Sequence, residues 1–202
     1  MAIVIPNPES IRSFRTQAAL EKWLSKHHDT EPELWLKIHK KESGLPTVTA
    51  AEALEVALCW GWIDGIRKGY DDSSFLQRYS PRKARSTWSQ INREHVARLV
   101  AAGRMTPHGQ KHVDAAKADG RWDAAYAPMR NASIASLPED LRKAIAASPR
   151  ASKALLRLER VELFALAHRM STVKTASGRT KKISGLVSKL ERGERIGQQR
   201  KS

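Results

Sequence analysis

The chain has a single cysteine, Cys59, so it forms no internal disulfide, and a lone thiol suits a reducing compartment. Acidic side chains are scarce beside basic ones: 21 Asp and Glu stand against 36 Lys and Arg, for a net charge of +15. No apolar run approaches the roughly 18 residues that a membrane-spanning helix needs. The opening MAIVIPNPES lacks a basic start and is interrupted by Pro6 and Pro8, which argues against a signal peptide. The expected location is cytoplasmic. No Walker loop, GxGxxG, GxSxG, CxxC pair or DxDxDG loop is present, which removes the commonest nucleotide, hydrolase, zinc and calcium readings. No cofactor is expected.

The positive charge is unevenly placed. Residues 139–202 carry 16 Lys and Arg against 6 Asp and Glu, whereas residues 1–138 carry 20 against 15. A basic C-terminal region attracts polyanions such as nucleic acid, anionic lipid or an acidic protein surface, and the same charge also serves as solvated helix surface. For a nucleic-acid interface the candidate contacts are Arg179, Lys181, Lys182, Lys189 and Arg192.

The pattern alternates helix and strand signals at first and becomes all-helical later. Ser13 and Phe14 open a short strand. Thr16 caps a helix to about His28, with Ala19, Leu20, Trp23 and Leu24 on one face. Leu34, Leu36 and Ile38 alternate with Trp35, Lys37 and His39 in a strand. Thr49 and Glu52 form a capping-box pattern ahead of a helix that Gly61 ends. Extended pieces at Ile66–Tyr70 and Phe75–Tyr79 read as a hairpin. Ser89 caps a helix to about Gly103, with Ile91, Val96, Leu99 and Val100 buried, and Thr106-Pro107 starts another. Residues 121–136 are a connector docked through Trp122, Tyr126 and Met129. Helices then begin at Pro138 and Ser148-Pro149. Val161 to Met170 is apolar, Gly178 breaks the chain, and Thr180 starts the last helix. Arg192–Ser202 is a basic tail whose composition suits disorder.

The densest chemistry lies in Ala57–Asn92, which holds three of the six tryptophans. Asp64 sits among bulky apolar residues in CWGWIDG, so it needs a hydrogen bond or a cation. It is a general base or the anchor of a catalytic or ligand-contacting Arg, or else it caps the turn at Gly65 or pairs with Arg67, Arg82 or Arg85. Trp60, Trp62 and Trp88 serve as core or as stacking platforms. Arg82, Lys83 and Arg85 precede the helix start at Ser89, where free amides and cations together suit an anion. The ligand-contacting set is therefore Arg82, Ser89, Trp88, Asn92, Trp62 and Asp64, and the partner is an anionic small molecule or an acidic protein. Were the chain an enzyme, Asp64 or His39 would be its base. Cys59, next to Trp60 on an apolar helix, reads as a buried inert thiol. His108 and His112 have the spacing of half a metal site but lack further ligands, so no metal is assigned.

Several segments together resemble the bacterial YdeI/OmpD-associated, or bacteriocin-protection, family. They are LWLKIHKK (Leu34–Lys41), EALEVALCWGWIDG (Glu52–Gly65), YSPRKARSTWSQIN (Tyr79–Asn92), GRMTPHG (Gly103–Gly109), AKADGRWD (Ala116–Asp123) and the closing GRTKKISGLVSKLERGERI. The resemblance extends over nearly the whole chain. Trp60 stands where the family typically has Phe or Tyr. The resemblance implies a role in envelope stress or in protection against bacteriocins and antimicrobial peptides, with no transferable catalytic residue. It also implies an α+β N-terminal part and a helical C-terminal part. The fold expected is α+β: a mixed domain over residues 1–130 with a few short strands and several helices, then an all-helical basic region over 137–202.

Overall fold

The computed structural model describes residues 6–173 and 175–196. The end of the basic tail read from the sequence, residues 197–202, lies outside the described residues. Among the described residues there are eight α-helices and one four-stranded sheet, so the fold is α+β with an all-helical C-terminal part. The chain divides into two compact units. Unit 1 is Met1–Ser86 with Glu94–Gly120, and unit 2 is Thr87–Arg93 with Arg121–Ser202.

Unit 1 is organised by its sheet. β1 (Ile11–Ser13) and β2 (Leu34–His39) run parallel, joined through α1 (Gln17–His27). β2 also pairs antiparallel with β4 (Ser74–Pro81), which pairs antiparallel with β3 (Trp62–Asp71), so the strand order is β1-β2-β4-β3. The β3–β4 hairpin turns through two residues and is longer than the sequence suggests. Register shifts between Asp64 and Arg67, and between Gly69 and Asp71, interrupt its pairing. Such irregularities raise local twist and blunt an edge strand.

The helix starts follow the local chemistry. Thr16 Oγ1 accepts from the Ala19 N–H and caps α1. Thr49 and Glu52 close a reciprocal capping box at α2 (Ala50–Cys59), with the Thr49 N–H donating to Glu52 at 2.8 Å. Those hydrogen bonds to Thr49 hold the Glu52 carboxyl below its usual range. Leu20 and Leu24 of α1, Ala53, Val56 and Ala57 of α2, the β2 residues Leu34, Leu36 and Ile38, and Trp62 and Tyr79 form the core of this unit.

α4 (Pro107–Ala118) packs against the end of α2 by close backbone approach. The Thr106 hydroxyl donates to the Cys59 carbonyl at 2.6 Å. A methyl group at Gly109 would collide with the Cys59 and Leu58 carbonyls, the latter at 2.6 Å. Backbone has nowhere to yield, so Gly109→Ala is expected to cost about 2–3 kcal/mol. Chemical denaturation measures this, and a loss below about 1 kcal/mol would mean that α4 sits further from α2 than described.

Unit 2 is helical: α5 (Glu139–Ala146), α6 (Pro149–Leu155), α7 (Arg160–Ser171) and α8 (Ala176–Glu191) surround a second core. That core contains Leu141, Ile145, Leu155, Leu166, Met170, Leu186 and Leu190. Gly178 does not break the chain. It lies in the first turn of α8, and its N–H donates to the true cap, Thr175, at 3.1 Å. A glycine three residues after a good N-cap is tolerated because the cap offsets its low helix propensity. Two further expectations are corrected. Met129 is 47% exposed, and Val100 of α3 (Gln90–Ala101) faces outward. The boundary between the units falls inside α3.

Candidate functional site

The residues singled out in Ala57–Asn92 divide between the units. Trp62, Asp64 and Arg82 belong to unit 1, whereas Trp88, Ser89 and Asn92 belong to unit 2. Trp62 is 1% exposed, its ring in the unit 1 core and its indole N–H donating to the His28 carbonyl at 2.9 Å. Asp64 is paired in register with Tyr79 and keeps an accessible surface. The protein massed around its carboxyl nonetheless pushes its pKa upward, a push that Arg82 and Arg67 oppose. Arg82 is only 6% exposed, and its backbone N–H donates to the Gly61 carbonyl. Lys83 and Arg85 beside it are exposed.

In unit 2, Trp88 is 2% exposed and packs edge-on against Trp122 at 4.9 Å. Ser89 caps α3, accepting from the Asn92 N–H at 3.1 Å. The Gln90 N–H, one of the amides an anion would need there, donates instead to the Tyr126 carbonyl at 3.0 Å. His39 ends β2 with its Nδ1 enclosed and without a hydrogen-bond partner among the described residues.

Cys59 is fully enclosed at the end of α2. Burial pushes its thiol from an ordinary value near 9 up to about 11, against the pull of Arg104. The unfolded thiol therefore ionises first as pH rises from about 9 toward 11, and the native state loses stability across that window. A thiol reagent at neutral pH is expected to label Cys59 only on unfolding, and Cys59→Ala to flatten the alkaline loss. Rapid labelling of the native chain would contradict the burial.

Near Cys59 the structure assembles a feature that sequence spacing did not reveal. His28 and His108, eighty positions apart, meet with Nε2 and Nδ1 at 2.9 Å, and the Trp60 ring stacks on His108 at 5.6 Å. His28 Nδ1 lies 3.2 Å from the Leu24 carbonyl. A carbonyl only accepts, so Nδ1 of His28 carries the hydrogen and its Nε2 accepts from His108 in the neutral pair. The pair joins the end of α1 to the start of α4. No group of three or more metal-ligating side chains occurs among the described residues.

The second site is cationic and lies wholly within unit 2. The five basic residues suggested for polyanion contact behave differently. Arg179 is committed to Asp140 by two hydrogen bonds of 2.5 and 2.9 Å, which also hold the Asp140 carboxyl below its usual range. Arg192 pairs with Glu194 at 2.6 Å. Lys181, Lys182 and Lys189 have no carboxylate partner among the described residues, and Arg169 of α7 joins them. These four cations line a depression of about 510 Å³ floored by Gly178, Gly185 and Leu186. Lys181, Gly185 and Lys189 recur every four residues, so they share one face of α8. The two lysines stand about 12 Å apart along the axis.

No helix among the described residues is long and apolar enough to cross a membrane. A family model described as a domain of unknown function (DUF8412) matches residues 12–112. A second, described as bacteriocin-protection, YdeI or OmpD-associated, matches residues 135–193. The segments Leu34–Lys41, Glu52–Gly65, Tyr79–Asn92 and Gly103–Gly109 fall in the first match, and Ala116–Asp123 falls in neither. No curated protein and no solved structure matches the chain. The chain belongs to the family of that domain of unknown function through residues 12–112, half of its length, and its C-terminal helices are similar to the family described as bacteriocin-protection, YdeI or OmpD-associated.

Proposed function

We propose that unit 2 binds nucleic acid through the face formed by α7 and α8, contacting the phosphate backbone without reading base sequence. One observation carries this: Arg169, Lys181, Lys182 and Lys189 surround a single depression with no carboxylate to neutralise them among the described residues. Like charges held together repel one another, and a polyanion relieves that repulsion while releasing its own counterions. Gly185 faces open space and leaves the depression low between Lys181 and Lys189, so a phosphate strand can approach the lysine ammonium groups. Among the described residues no aromatic side chain lines the depression, so it lacks the stacking platform that favours single strands. The occupant is accordingly a duplex, held by its backbone.

The match to the bacteriocin-protection, YdeI or OmpD-associated family lies over these same helices. The test is a gel-mobility titration of the full chain with one labelled DNA duplex, two unrelated unlabelled duplexes and a single strand of equal length. Equal competition by the two duplexes, and weaker competition by the single strand, is the expected result. Strong preference for one duplex sequence, or no retardation at low salt, sinks the proposal.

A further inference from the structure

A second face of α7 is only partly covered. Leu163, Leu166 and Met170 point inward. Val161, Phe164 and His168 fall on the other side, Ala165 lies between the two faces and also touches the core, and Val161 is 49% exposed. A helix that is apolar on two faces buries the second one against something. Here that face lines a depression of about 460 Å³, a size typical of small-molecule sites.

Its walls are ordered by aromatic contact. Phe164 and His168 stack at 5.8 Å and 27°, and Tyr126 meets the edge of His168 at 5.1 Å. The polar groups are few and unevenly occupied. Glu162 is held by backbone donors, accepting from the Glu159 N–H at 3.2 Å and from the Ile196 N–H at 3.3 Å. Glu159 stands at the N-cap of α7, where the helix dipole favours a negative charge. The guanidinium groups of Arg169 and Arg195, by contrast, have no carboxylate partner among the described residues. An apolar, aromatic-walled groove with two uncommitted guanidiniums on its rim suits a molecule with an apolar body and one anionic head.

We propose that this groove binds a small amphipathic carboxylate, its chain or ring along Val161, Phe164 and His168 and its carboxylate on Arg169 and Arg195. The site is independent of the nucleic-acid reading except that Arg169 borders both depressions.

Decanoate, 1-decanol and decylamine share one apolar body and differ in the head, so calorimetric titration of the full chain with each separates the terms. Decanoate is expected to bind at one site, with the alcohol and the amine weaker by about tenfold or more. Val161→Glu and Arg169→Gln are each expected to weaken decanoate by about tenfold, without altering the circular dichroism of an unchanged fold. Lys181→Glu with Lys189→Glu leaves decanoate binding as it was, which keeps failure here distinct from failure of the polyanion site. Equal binding of all three probes, binding unaffected by Val161→Glu, or no binding overturns the proposal. So does a dimer in sedimentation that Val161→Glu dissolves and decanoate does not, because the groove's occupant is then a second copy of the chain.

Discussion

The double variant Lys181→Glu, Lys189→Glu is expected to bind duplex DNA about a hundredfold more weakly than the native chain. Both lysines lie on one face of α8 and line the same depression, so reversing them removes two phosphate contacts and adds two repulsions. Arg179→Glu is the informative control. Its guanidinium is already committed to Asp140, so its loss loosens the packing of α5 and α8 more than it weakens binding. A double variant that binds like the native chain would show that the anion goes elsewhere. Fold integrity is read separately, because the lysines lie on the depression rather than in the Leu186 and Leu190 core.

Trp62→Ala is expected to destabilise unit 1 by about 3–5 kcal/mol. Three losses act together. The ring leaves a cavity among Leu20, Leu24, Val56 and Tyr79, residues of the same core. Its edge-on contact with Trp23, at 6.2 Å and 87°, disappears. The His28 carbonyl also loses the indole N–H donated to it at 2.9 Å. Trp62→Phe keeps much of the volume and forfeits the hydrogen bond, so its cost is expected nearer 1–2 kcal/mol. Urea denaturation of both variants measures the difference. A loss below about 1 kcal/mol for Trp62→Ala would contradict its enclosure.

These two cases mark what sequence reasoning reached. Helix starts were legible because caps are local: Thr16, Thr49, Ser89 and Thr106 each act within three residues of themselves. The same rule misplaced the last helix, since a glycine at 178 weighed more than the cap at Thr175 that overrides it. The strands were legible as elements, but the order β1-β2-β4-β3 was not, because it depends on pairing partners distant in the chain.

The sites were less legible for the same reason. Arg179 and Lys181 look alike in sequence. They differ because Asp140, 39 positions away, engages only the first. His28 and His108 carry no spacing signal for their contact. The sequence marks Val161 to Met170 as apolar without separating its faces, because apolar residues occupy both and periodicity cannot tell a covered face from an open one.

The most direct measurement is the affinity of the full chain for a DNA duplex across a range of salt concentrations. Four cations on the α7–α8 face, each displacing condensed counterions, predict that log affinity falls against log salt with a slope of about −3 to −4. The Lys181→Glu, Lys189→Glu chain should show a slope shallower by about 2. A slope near zero, or one that the double variant leaves unchanged, would contradict polyanion binding at this face.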